Sequence, residues 1–263
     1  MATEDRPVTL VTGASSGLGR AVALRLAEAG AHVVVSSHRE ERARVVADQI
    51  RQAGGSASVQ VADLLDREQV VALPQRIVEE HGRLDHVVSS GAGGSKEGQA
   101  FKLFTETPTE DFVGIVVAHW LNKAYLLRAC LDHMVPAGYG RFVNISTDGG
   151  RVPTPHESVF GGAAAGLMMM TRVVSREVGR YGVRVNTVAV GPLADFDMVD
   201  IVTNKQEVPG AVGGKFAEKL QKRMVFPSVA DDVAKMVEFL LGDGGSTVTG
   251  QTWSVNSGVS TAP

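Results

Sequence analysis

Short runs of β-branched residues recur along this chain, and each is followed by a longer amphipathic stretch. Residues 8–11, 33–35, 59–61, 87–89, 142–145, 183–188 and 252–255 read as strands without strict polar alternation. Residues 17–29, 40–52, 67–81, 107 to about 134, 160–181 and 228–241 read as helices. Strands with no polar face must be covered on both sides, and a helix between successive strands makes them parallel. The pattern therefore predicts an α/β fold, a doubly wound parallel sheet with helices on both faces. Thr107-Pro108-Thr109-Glu110 reads as a capping box with proline at the first helical position, and Ser228 as an N-cap.

The chain of 263 residues, 44% hydrophobic and 21% charged, suits a single domain over 1–263. A net charge of −3 gives no basic surface for nucleic acid. One cysteine, Cys130, excludes an internal disulfide. The polar N-terminus lacks a signal-peptide core, and no uninterrupted apolar run reaches the ~18 residues of a membrane span. A cytoplasmic protein with no membrane partner is expected. Residues 192–222 are rich in glycine, proline and charge and follow the sixth strand, where ligands bind in such folds. They are expected to form a lid over a small-molecule substrate.

Between the first strand and first helix stands Thr12-Gly13-Ala14-Ser15-Ser16-Gly17-Leu18-Gly19. Glycines there let the backbone turn tightly and approach a pyrophosphate, while the helix start offers free N–H groups and partial positive charge. At the end of the second strand, Ser36-Ser37-His38-Arg39 contains no acidic residue to hold a ribose 2′-hydroxyl and repel a 2′-phosphate. Arg39, helped by Ser37 or His38, is suited to that phosphate. NADP(H) is expected over NAD(H), and no metal site is expected.

The Thr-Gly-x-x-x-Gly-x-Gly pattern at 12–19 resembles the fingerprint of classical short-chain dehydrogenases/reductases. Asp63-Leu64 resembles the family's adenine contact, and Arg141 to Ser146 the strand leading to its catalytic serine. Arg184 to Ala189 resembles the strand before its Pro-Gly turn, and Pro227 to Gly258, with Thr249-Gly250-Gln251, its C-terminal signature. The resemblance spans nearly the whole chain. It implies a Rossmann-like seven-stranded sheet, nucleotide contacts that include Gly91 and Gly191, and a homodimer or homotetramer built through the 109–134 and 160–181 helices.

The family's catalytic tetrad of Asn, Ser, Tyr and Lys is not retained. None of the three tyrosines has a lysine four residues later. By register from the matched flanks, the asparagine position falls on His119 and the serine position on Thr147, or on Ser146 if the register slips by one. Phe160 and Ala164 occupy the tyrosine and lysine positions. The turn after the fourth strand is Ser89-Ser90-Gly91-Ala92, the Pro-Gly turn is Val190-Gly191, and Asp195 stands where a threonine holds the nicotinamide amide. A phenyl ring has no proton to give, and a methyl group cannot hold a ribose. His119 is the first candidate for acid–base work, because imidazole titrates near neutral pH. Thr147 or Ser146 follows as a carbonyl partner. Asp148 and His156 are read as solvated loop residues near the cleft, and Met168-Met169-Met170 as core or subunit contact. The resemblance implies an atypical NADPH-dependent reductase of an activated carbonyl: an enone, a quinone or a polyketide-like ketone. The alternatives are a non-redox cyclase, isomerase or dehydratase, and an inactive pseudoenzyme acting as a binding partner.

Overall fold

A computed structural model of the chain describes residues 6–92, 101–195 and 222–260. Seven strands, β1 (Val8–Val11), β2 (His32–Ser37), β3 (Ser56–Val61), β4 (His86–Ser89), β5 (Gly140–Thr147), β6 (Val183–Val190) and β7 (Thr252–Val255), form one sheet in the order β3-β2-β1-β4-β5-β6-β7. Every pairing is parallel. The helices are α1 (Gly17–Glu28), α2 (Glu40–Gln52), α3 (Arg67–His81), α4 (Asp111–Val116), α5 (Asn122–Ala137), α6 (Ser158–Val178) and α7 (Ala230–Leu241).

Successive strand residues point to opposite faces, so one run of valines feeds two cores. Val33 and Val35 join Val22 and Leu26 of α1, Val46 and Ile50 of α2, and Val233 and Val237 of α7. Val34, between them, joins Leu73 and Ile77 of α3 and Leu126 and Met134 of α5 on the other face. Full burial of each such side chain contributes roughly 1.5–3 kcal/mol before chain entropy is set against it. The chain order reverses at β1, whose neighbours are β2 and β4. The crevice beyond the strand ends at such a switch point is where ligands bind in open α/β sheets.

Two capping expectations are corrected. The helix does not open on a capping box at 107–110: α4 starts at Asp111, and the Thr107 hydroxyl donates instead to Leu103 O at 3.0 Å. A π turn at Val117–Leu121 then separates α4 from α5. Ser228 does not cap α7. Its hydroxyl is paired with Ser257, and the Ala230 N–H is held by both oxygens of Asp195 at 3.0 Å. The stretch Ser158–Tyr181 is long and apolar enough, by length and composition, to cross a membrane. In this fold its Gly161, Ala163, Ala164, Leu167 and Met168 are buried in the core. Of the expected lid at 192–222, residues 196–221 lie outside the described residues.

Candidate active site

A cavity of about 480 Å³ opens at the carboxyl ends of the central strands. At one end it is lined by Gly13, Ser16, Gly17, Leu18 and Gly19, with Ser90 and Gly91 beside them. This end is built for close backbone approach. Gly13 has φ +61°, and a Cβ there would stand 2.9 Å from Gly91 Cα; a Cβ on Gly19 would meet Gly13 O at 2.3 Å. The Thr12 hydroxyl donates to Ser90 O at 2.7 Å and accepts from Ser90 N at 3.0 Å, which ties the β1 turn to the β4 turn. Ser16 is the N-cap of α1, and its side chain makes no capping bond. The N–H groups at the helix start therefore remain available to an anion.

Ser15 lies under the end of β2, where it accepts from the Ser37 hydroxyl at 3.0 Å. Ser37 Oγ in turn accepts from Arg39 N at 3.2 Å. His38 and Arg39 are exposed, and no described residue pairs with the Arg39 guanidinium. Asp63 Oδ1 accepts from Leu65 N at 2.9 Å, and Leu64 reaches toward Gly91. Of the residues predicted from the sequence as nucleotide contacts, Gly13, Ser16, Gly17, Leu18, Gly19 and Gly91 line the cavity, and Ser15, Ser37, His38, Arg39, Asp63 and Leu64 lie outside its lining. Gly191 lines the far side of the cavity with Val190 and Pro192.

At the other end stand His119, Lys123, Ser146, Thr147, Glu157 and Phe160. Phe160 packs edge-on against His119, with ring centroids 4.3 Å apart, and against Phe101 at 5.4 Å. Nε2 of His119 is buried without a partner among the described residues. Burial, with the Lys123 charge behind it, pushes the imidazole down to about 3. The ring is therefore neutral through the physiological range. Ala164 is buried beneath the 3₁₀ turn Asp148–Gly150, packed with Met168 and Ala189. Met169 points outward at 56% exposure.

Two chemically active groups here were not singled out from the sequence. Lys123 is buried, and its Nζ donates to Ser89 O at 3.1 Å and Ile145 O at 2.8 Å, the carbonyl ends of β4 and β5. No described carboxylate neutralises it, and burial pushes its ammonium down to about 7. Its signal in the sequence was its position one helical turn after His119, on the face that carries Leu126 and Leu127 inward. Glu157, also buried, turns its Oε2 toward the Thr147 hydroxyl, which donates to it at 3.3 Å. Gly149 makes this possible, because a Cβ there would lie 1.9 Å from that oxygen. Burial and the nearby Asp148 charge push Glu157 up to about 7, against the Thr147 hydrogen bond.

Asp148 is buried rather than a solvated loop residue. Its carboxylate accepts from Ser254 at 2.6 Å, from Asn256 at 2.8 Å and from Ser260, pinning the end of β5 to the C-terminal segment. His156 lies outside the cavity lining and has a positive φ of 74°. Asp195 is engaged in capping α7. Among the described residues no group of three or more His, Cys, Asp or Glu side chains is placed to hold a metal ion.

Residues 13–260 match a family described as enoyl-(acyl carrier protein) reductase. The short-chain dehydrogenase/reductase FrzI of a Cladobotryum species is 32% identical over 96% of this chain and 95% of its own length. The 1-cyclohexenylcarbonyl-CoA reductase of Streptomyces collinus is 32% identical over 98% of this chain and 88% of its own. A solved actinorhodin polyketide ketoreductase, a variant with NADPH, superposes with a TM-score of 0.87 at 28% identity, covering 98% of this chain and 99% of that one. The parallel sheet, the glycine cradle at its switch point and these likenesses over nearly the full length lead to one conclusion: the chain belongs to the short-chain dehydrogenase/reductase family.

Proposed function

We propose that this protein is an NADPH-dependent reductase of an activated carbonyl compound, such as an enone, a quinone or a polyketide-like ketone, working without the family's tyrosine and lysine. The observation that carries the reading is the glycine cradle opening into the same cavity as a buried lysine, a hydroxyl and a carboxyl. The cradle fits a dinucleotide: side chains are excluded where a pyrophosphate would lie, and the N–H groups of α1 lack a cap. Ser15, Ser16, Gly17, Leu18 and Gly19 would hold the diphosphate, Ser37, His38 and Arg39 a 2′-phosphate, and Asp63 and Leu64 the adenine. Lys123 supplies, from α5, the cation that Ala164 withholds from α6. The likeness to a ketoreductase solved with NADPH points the same way.

The nicotinamide, when bound in its reduced form, supplies a hydride to the carbonyl carbon. The protein's part is to exclude water, orient the carbonyl and stabilise charge on its oxygen. Phe101 and Phe160 form an apolar wall for a planar substrate. Neutral His119 offers a hydrogen-bonding nitrogen, and Thr147 or Ser146 a hydroxyl. Delocalisation in an activated substrate lowers the demand for acid assistance, which suits a site without a phenol. The exposed Met169 and Val173 on α6 fit a homodimer or homotetramer contact.

A second reading, non-redox acid–base catalysis such as dehydration or isomerisation, is favoured by the loss of the tyrosine hydroxyl together with the presence of a buried carboxyl facing the cavity. Titration with NADPH and NADH, followed by quenching of Trp120 and Trp253 and by calorimetry, tests the first reading. Micromolar NADPH binding with weaker NADH binding is expected. No binding up to millimolar removes the redox reading and leaves the second.

A further inference from the structure

Glu157 occupies a place that a surface loop acid would not. It stands at the N-cap of α6, is 7% exposed, and lines the cavity. Its Oε2 shares the hydrogen of the Thr147 hydroxyl, the group at the family's serine position. That hydroxyl is itself oriented by Gly149 N, which donates to it at 3.2 Å. Oε1 has no hydrogen-bond partner among the described residues. The room for this arrangement comes from Gly149, where any side chain would collide with the carboxyl. The same segment that lost a phenol at 160 thus carries, one turn earlier on α6, a carboxyl hydrogen-bonded to the substrate-facing hydroxyl.

We propose that Glu157 is the general acid of this enzyme, delivering a proton to the substrate carbonyl oxygen in place of the missing tyrosine. The inference rests on the reductase reading above. The O–H bond of the Glu157 carboxyl breaks, and its proton goes to the carbonyl oxygen. The electron pair that completes the new C–H bond is the hydride of the reduced nicotinamide. Carbonyl, hydride and proton give the alcohol, and the Glu157 carboxylate regains a proton from water through the open cavity. Thr147 stabilises the carboxylate between turnovers. Burial chiefly, and the charge of Asp148 on the 3₁₀ turn to a lesser degree, keep the carboxyl protonated; the other charged or titratable groups lining the cavity are Lys123, His119 and Arg223. A carboxyl protonated up to about pH 7 is available as an acid under ordinary conditions. His119 is too weak a base to hold a proton there.

The test compares wild type, Glu157→Gln and Thr147→Val for NADPH binding, for pH-dependent reduction of phenanthrenequinone and tetralone, and for the infrared band of a protonated carboxylic acid. The expected result is a wild-type kcat/KM that falls above about pH 7, and an E157Q profile that is flat and roughly a hundredfold lower. NADPH affinity should stay within twofold, and the infrared band should be absent in E157Q. Should E157Q fold poorly, T147V serves: loss of its hydrogen bond should move the falling limb to higher pH, which a merely structural role would not do. An E157Q enzyme that keeps its rate and its falling limb overturns the acid role and leaves the reductase reading intact. Wild-type protein that binds NADPH yet reduces neither substrate overturns both.

Discussion

The imidazole of His119 meets the ring of Phe160 edge-on, with centroids 4.3 Å apart and planes at 64°. By the sequence register we read the two residues at the family's asparagine and tyrosine positions, where the pair would set an aromatic wall in place of two polar groups. Such a contact contributes about 0.5–1.5 kcal/mol beyond burial. Burial, with the Lys123 charge, holds the histidine neutral.

A histidine depressed to about 3 binds its proton less readily in the folded protein than in the unfolded chain, where its value is near 6.5. Between those values the unfolded state holds more protons, so stability falls as pH is lowered. His119→Asn should therefore lose less Tm than wild type between pH 7 and pH 4.5, measured by thermal melts. Its turnover should drop less than tenfold, with the pH profile unmoved, since a neutral imidazole contributes no titration near neutrality.

Lys123 gives a dependence of the same sign, in a higher pH window. Its folded value of about 7 lies below the unfolded value of about 10.4, so the burden of burying the charge is complete below pH 7 and fades as pH rises toward that of the free lysine. Lys123→Met removes this burden but leaves Ser89 O and Ile145 O without their donor. The Tm difference, variant minus wild type, should be more positive at pH 6 than at pH 9.5. NADPH binding by calorimetry should weaken about ten- to a hundredfold, the range for loss of a charged hydrogen-bond donor.

The glycine turn after β1 was legible because it is a matter of backbone. The glycines at 13, 17 and 19 follow a strand and open a helix, and local sequence is enough to place them. The other end of the cavity was less legible because its groups converge from separate elements. Lys123 comes from α5, Thr147 from the end of β5 and Glu157 from the start of α6. Nothing in the sequence says that the glycine at 149 exists to admit a carboxylate. Asp148 misled for the same reason: a charged residue between a strand and two glycines reads as solvated, whereas the donors that bury it lie more than a hundred residues away. The capping signals at 107 and 228 failed because a competing partner, Leu103 O in one case and Ser257 in the other, takes the hydroxyl.

Gly19 provides a test of the cradle that does not depend on chemistry. A Cβ at this position would lie 2.3 Å from Gly13 O and 3.0 Å from Ala14 Cα, both main chain and unable to turn aside. Gly19→Ala must therefore push α1 away from the β1 turn. A loss of about 1–3 kcal/mol in urea unfolding is expected, the range for overpacking a filled site. NADPH affinity should fall with it, because the N–H groups of α1 move with the helix.

Arg39 separates the two nicotinamide cofactors. Its guanidinium is exposed beside Ser37 and is paired with no described residue, so removing it leaves the fold undisturbed. A charge-assisted contact to a 2′-phosphate is worth roughly 1.5–3 kcal/mol, about ten- to a hundredfold in affinity. Arg39→Ala should weaken NADPH by that factor and leave NADH within twofold, with Tm unchanged. Raising the salt concentration should weaken NADPH binding to wild type and have less effect on the variant, since an exposed ion pair is screened. Equal loss of both cofactors would place the arginine near a group that they share, the adenine or its ribose, and would remove the basis for an NADP preference at the end of β2.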